Sequence, residues 1–211
     1  ATLAGVDPRP DPSETARLAA LDELELIEAA SGSSDRRFDR VVRLAQRVFG
    51  VPTVAVNLIG AEHQITKAGV GIDLGLTPRS EAFCDHTIRS GSPLVVPDAR
   101  VDPRFADNPH VTGAAGIRFY AGYPLYGPGG HVVGSFCIYD TEPRTLSDAE
   151  RTTIAELAGW AQRELQRTDD LERAAAVQRQ MLPRALGELP GYAVCALSLP
   201  AYAVGGDFYD H

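Results

Sequence analysis

Cysteine is scarce in this chain of 211 residues. There are three, Cys84, Cys137 and Cys195, far apart and odd in number. That excludes a disulfide framework and points to a reducing cytosol. Positive charge is short as well. Twenty Lys and Arg stand against 28 Asp and Glu, a formal charge of −8, which leaves no basic footprint for nucleic acid or an anionic membrane. No apolar run approaches the roughly 20 residues of a membrane helix, and the opening ATLAGVDPRP is no secretory signal. The expected location is cytoplasmic. What is present is an ordinary globular composition, 44% hydrophobic and 23% charged, enough for a proper core in one or two domains. The missing initiator Met and the stop at His211 suggest a piece cut from a longer protein, with His211 either native or the first residue of a tag.

The organising stretch is IRFYAGYPLYGPGGHVVGSFCIYD, Ile117 to Asp140. Two β-rich runs flank the turn cluster Gly127-Pro128-Gly129-Gly130, a hairpin signal. Phe119, Ala121, Tyr123 and Leu125 share one face, and neither face is cleanly polar, so the hairpin belongs in the middle of a sheet covered on both sides. Gly122 and Gly134 leave room for something to approach the strand surface.

Upstream, residues 1–12 are Pro-rich. Leu18, Leu21, Leu24 and Ile27 keep a near-helical period in an acidic helix ending at Ser31-Gly32, expected to show a solvated face. A second helix is capped by Ser34 and stopped by Gly50 and Pro52, with an apolar stripe of Phe38, Val41, Val42, Ala45, Val48 and Phe49. Thr53 to Ile59 alternates Val54, Val56 and Leu58 against Asn57, read as hydrogen-bonded to a neighbouring loop. Gln64 to Gly69 is the antiparallel partner. Thr77-Pro78 reads as the cap of a helix through Phe83, Cys84, His86 and Ile88 to Gly91. Pro93 to Pro97 is an edge strand. The following 97–116 is a loop of about twenty residues, a length that marks functional or mobile segments. Ser147 and Glu150 form a capping box for a helix running to Leu182, long enough to suggest a coiled coil with the seam Leu157, Ala158, Ala161, Leu165 and Thr168. Two strands follow, Tyr192 to Leu199 and one ending in VGGDFYD.

TPRSEAFCDHTI (77–88), PLVVPDARVDPRFADNP (93–109), IRFYAGYPL (117–125) and GSFCIYDTEPRTLS (134–147), in this order, resemble the GAF domains of bacterial signalling proteins. The resemblance implies an α+β fold with a central antiparallel sheet of five to six strands flanked by helices. It also implies a pocket on one face, walled by the 97–116 loop. Its ligand is unknown: family ligands include cyclic nucleotides, haem and bilins. LERAAAVQRQMLP (171–183) and PAYAVGGDFYD (200–210) resemble the opening of SpoIIE-type metal-dependent serine phosphatases of the PPM type. By that likeness Asp207, with Asp210, helps hold Mn²⁺ or Mg²⁺. Two carboxylates do not supply the six or so oxygens a hard cation wants, so this stretch alone is expected to be catalytically silent. The expected organisation is a helical segment 1–34, a GAF domain 35–161, a helical linker 162–183 and a phosphatase start 184–211. The expected function is to switch a phosphatase acting on a phosphoprotein such as an anti-sigma-factor antagonist, as a homodimer.

The pocket candidates are Asp98, Arg118, Tyr120 and Tyr139, together with Cys84 and His86. Arg118 and Asp98 either face a ligand or pair to pin the loop, and the two readings weigh evenly. Cys84 beside His86 invites a bilin-binding photosensor, yet i, i+2 side chains on a helix do not share a face. A redox enzyme using Cys84, alone or with Cys137, is the rival from another class. His63, His86, His110 and His131 have no metal-ligand spacing.

Overall fold

Strand β1 (Thr53–Ile59) carries two kinds of side chain on its two faces, and the fold is arranged around that difference. The computed structural model describes residues 12–24 and 34–181. In it β1 pairs antiparallel with β2 (His63–Val70) and, on its other side, with β6 (Val132–Asp140). β3 (Leu76–Pro78), β4 (Leu94–Val96) and β5 (Phe119–Tyr126) complete a six-stranded sheet in the order β3-β2-β1-β6-β5-β4, antiparallel throughout. The hairpin of β5 and β6 is buried on both faces, as its two-sided apolar pattern implies.

Val54, Val56 and Leu58 lie on one face, in register with Ile138, Phe136 and Gly134. Helix α2 (Asp39–Phe49) packs on β1 and β2 there, burying Val41, Val42, Ala45 and Phe49. Helix α1 (Pro12–Asp22) packs on β6, burying Ala20 and Leu21. On the other face lie Ala55, Asn57 and Ile59, beside Ser135, Cys137 and Tyr139 of β6. Helix α3 (Phe83–Ser90) and the loop after β4 cover them. Phe83 stacks flat on Phe105 of that loop, centroids 4.2 Å apart, which fastens helix and loop into one lid over the sheet.

Helix ends follow their local chemistry. Gly50 and Gly91 close α2 and α3 in the left-handed region, φ 60° and 62°, where glycine has no Cβ to clash. The long helix α5 (Asp148–Met181) opens on the expected capping box: the Ser147 amide donates to Glu150 Oε2 at 2.8 Å, and the Glu150 amide donates to Ser147 Oγ at 3.3 Å. No helix among the described residues is long and apolar enough to cross a membrane. The chain divides into two compact units, Ala1–Glu164 and Leu165–His211.

Several local expectations change. Thr77-Pro78 is not a helix cap. Thr77 pairs with Gln64 across the sheet, Pro78 stays extended (φ −53°, ψ 130°), and α3 starts after a single turn at Arg79–Glu81. The pairing gained on the β2 edge outweighs the proline's fitness for a first helical turn. Ser34 does not cap α2 either; its hydroxyl donates to Asp39 Oδ1 at 2.6 Å, and Phe38 occupies the cap. Val48 leaves the apolar stripe and is 53% exposed. The 97–116 loop contains a short helix, α4 (Pro109–Thr112), capped by Asn108 accepting from the His110 amide at 2.8 Å. Gly122 admits no ligand: a Cβ there would sit 1.9 Å from the Tyr120 hydroxyl, so the protein itself fills the space. The leading helix stops at Asp22, short of the expected Ser31-Gly32; Ser31, Gly32, Asp207, Asp210 and the two tail strands lie outside the described residues.

Candidate functional site

The α3 face of the sheet holds a cavity of about 500 Å³. Its walls come from four places. Gln64 of β2 and Tyr139 of β6 supply the sheet side, Ala82 and Phe83 the start of α3, the loop Ile72 to Gly75 with Leu76 and Thr77 of β3 one flank, and His110, Ala115 and Ile117 the other. The bend at Gly71 that swings the first loop aside has φ 70°. A Cβ at that position would meet the Pro52 carbonyl oxygen at 2.0 Å, so the turn requires glycine.

Gln64 is the unusual member. Its side chain is buried in a β-strand, only 4% exposed, and its amide oxygen has no hydrogen-bond partner. An unmet buried acceptor costs about 1–3 kcal/mol, a cost natural folds usually remove unless the group has other work. Around it stand Glu81, with His110 Nε2 at 3.7 Å, and Asp140, whose carboxylate is taken by Arg144 at 2.7 Å.

Tyr139 links this cavity to a buried polar cluster under α3. Its hydroxyl lies 3.4 Å from both Cys84 Sγ and Cys137 Sγ, and the two sulfurs are 3.7 Å apart. Asn57 Nδ2 donates to both sulfurs at 3.3 Å. Asn57 therefore serves the cluster, not a neighbouring loop as expected. Its own oxygen and the Ser135 hydroxyl have no partner. Burial raises the Cys84 thiol, but hydrogen bonding with Cys137, Tyr139 and Asn57 more than reverses this and lowers it. Burial pushes Cys137 up, and its neighbour Cys84 adds to the rise. Burial also raises Tyr120 and Tyr139.

Of the six pocket candidates named from the sequence, Tyr139 alone lines the cavity. Tyr120 is fully buried and bonded to the Thr87 hydroxyl at 2.6 Å. Cys84 is fully buried beneath α3. His86 stands edge-on to Phe105 at 4.7 Å, with its pKa lowered by burial. The Asp98–Arg118 pair, one of the two readings from the sequence, is not formed. Asp98 bonds Arg100 at 2.7 Å, which lowers its pKa. Arg118 donates to the carbonyls of Val111 (2.8 Å) and Ile117 (3.1 Å), pinning the loop through its backbone. Among the described residues no cluster of His, Cys, Asp and Glu is placed to hold a metal ion.

A sheet of this order, with α1 and α2 on one face and α3 beside a cavity on the other, has known counterparts. Residues 33–165 match the GAF domain family. The chain belongs to that family. Over 131 residues it is 38% identical to a cyclic di-GMP phosphodiesterase of Pseudomonas aeruginosa; the match covers 62% of this chain and 22% of that protein, so the chain spans about a fifth of its length. Among solved structures, the blue-light absorbing form of the PixJ GAF domain of Thermosynechococcus elongatus superposes with a TM-score of 0.55 at 15% identity, covering 82% of this chain and 99% of that one. A free methionine-R-sulfoxide reductase of Neisseria meningitidis, in complex with its substrate, gives 0.54 at 14% identity, covering 80% and 99%. At such identities the likeness is one of fold.

Proposed function

We propose that this chain is a sensory GAF module that takes a small molecule into the Gln64 cavity and passes its occupancy to an attached output domain. The observation that carries this reading is the buried Gln64 amide oxygen, without a partner, on the wall of this cavity. Such a group is stabilised once a ligand meets it. Occupancy bears on Phe83 and Tyr139, which join the cavity to α3 and the thiol cluster. The output we infer is a SpoIIE-type serine phosphatase acting on a phosphorylated signalling protein. Its support is sequence alone: LERAAAVQRQMLP and PAYAVGGDFYD, with Asp207 and Asp210 as ligands toward Mn²⁺ or Mg²⁺. Helix α5 is the proposed transmitter, acting in a homodimer where its packing has two arrangements of similar energy.

The rival readings place chemistry on Cys84. A bilin or a sulfoxide substrate has to reach the sulfur, and that sulfur is fully buried and outside the cavity wall. The test uses a longer protein carrying a complete phosphatase domain. Ala115 lines the cavity, and Ala115→Trp fills it from the loop side. Phosphatase turnover on a phosphorylated anti-sigma-factor antagonist should change several-fold in the variant. Unchanged turnover, with the variant's fold intact by circular dichroism, sinks the reading.

A further inference from the structure

The wall of the cavity has a charge of one sign. Among the described residues that line it there is no lysine or arginine, whereas Asp73, Glu81 and Asp140 all contribute. Asp140 is neutralised by Arg144, which stands outside the wall. Glu81 has only His110 nearby, at 3.7 Å. Asp73 sits on the first loop with no ion-pair partner among the described residues. Ile72, Phe83, Ile117 and Tyr139 add apolar and aromatic surface, and Thr53, Thr77 and Thr141 add hydroxyls. Gln64 adds an independent requirement: a buried carboxamide whose oxygen lacks a donor.

Each feature selects against anions. An anion entering this cavity finds no lysine or arginine on the wall and meets carboxylates of its own sign. A cation finds charge of the opposite sign, aromatic faces for its body and an amide oxygen for one N–H. We infer that the cavity takes an amphipathic organic amine in its ammonium form, held by the Asp73 and Glu81 carboxylates and the Gln64 carboxamide over the Phe83 and Tyr139 rings. Cyclic nucleotides, haem and bilins, all of which carry phosphate or carboxylate groups, are rejected. The inference rests on the cavity being the sensory site proposed above and specifies its ligand class.

Tryptamine and indole-3-propionate share an indole ring and differ in the charge of the side arm, so they isolate the inference. Calorimetric titration of the 211-residue chain with each should show tryptamine binding at least ten-fold more tightly. The double substitution Asp73→Asn, on the first loop, with Glu81→Gln, in the single turn before α3, should erase most of that preference. Gln64→Leu should weaken tryptamine about ten-fold; circular dichroism checks its fold, and the double variant carries the test if it does not fold. Equal or tighter binding of indole-3-propionate, cyclic AMP or cyclic GMP overturns the charge assignment and leaves a sensory cavity standing. Binding of neither indole overturns it as well. In that case the phosphatase response to Ala115→Trp decides whether the sensory reading falls with it.

Discussion

Glu14 shows how one side chain ties the leading helix to the sensory face. Its carboxylate takes Arg17 at 2.8 Å through both oxygens and Arg79 at 2.5 Å, and Arg79 continues to Asp85 of α3 at 2.6 Å. Arg17 is itself buried and donates to the Ile59 carbonyl at 2.6 Å. An acidic helix read as a solvated face thus has one acid committed to the fold. The Arg17 hydrogen bonds, then those of Arg79, hold the Glu14 pKa at about 2 against an ordinary 4.5, with burial opposing them. A depressed carboxylate stabilises the folded state above its unfolded value and loses that contribution as pH falls through its folded one. The window is therefore pH 4.5 down to about 2. Glu14→Gln should cost roughly 1 kcal/mol at pH 7, a modest figure because the group is partly exposed and solvent screens it. The gap between variant and wild type in urea unfolding should shrink on going from pH 7 to pH 2. A gap independent of pH would show that charge is not what Glu14 contributes.

At the scale of elements, legibility in the sequence tracked how local the deciding physics is. β1 was plain because Val54, Val56 and Leu58 alternate, α2 because Gly50 stops it, and α5 because Ser147 and Glu150 cap it within four residues. The start of α3 was not, because Pro78 serves a helix or an extended strand equally well until β2 lies beside it. The cavity was harder still. Gln64, Glu81 and His110 meet only after β2, the α3 approach and the loop close together, and no spacing announces that. Gln64 did carry one signal, a carboxamide in the midst of strand residues, on the same face as Asn57. Arg118 illustrates the middle case: its commitment to the loop was readable, its partner was not. Arg118→Ala removes a charged donor from the Val111 carbonyl, a bond worth about 1.5 kcal/mol at the lower end for charged groups. Amide exchange at Gly113 and Ile117, which bond within the loop, should quicken about ten-fold, with β1 and β6 unchanged. Exchange quickened equally in β1 would mean that Arg118 supports the whole fold instead.

For the whole molecule, the question is what the sheet leaves for a second copy to bind. Two apolar surfaces argue from sequence for a dimer, the leading helix and the seam of the long helix, and the fold uses much of both. Ala20, Leu21 and Leu24 are buried within the chain, as are Leu157, Ala158 and Ala161. The Gln162 amide exchanges hydrogen bonds with the Tyr126 backbone at 2.6 and 2.7 Å, which fastens α5 to β5 before Glu164. Any pairing of copies through α5 therefore falls to the stretch beyond Glu164. There Val177 stands 57% exposed on a 34-residue helix. Burying a valine stabilises by about 1.5 kcal/mol per copy, so a two-fold contact gains from it twice. We expect a dimer in sedimentation at tens of micromolar, a concentration range in which mass action still favours a modest association. Val177→Glu places like charges across that contact and should shift the chain to monomer with its helical content unchanged. A wild-type chain that sediments as a monomer removes the dimer, and with it the proposal that α5 signals by repacking against a sister helix.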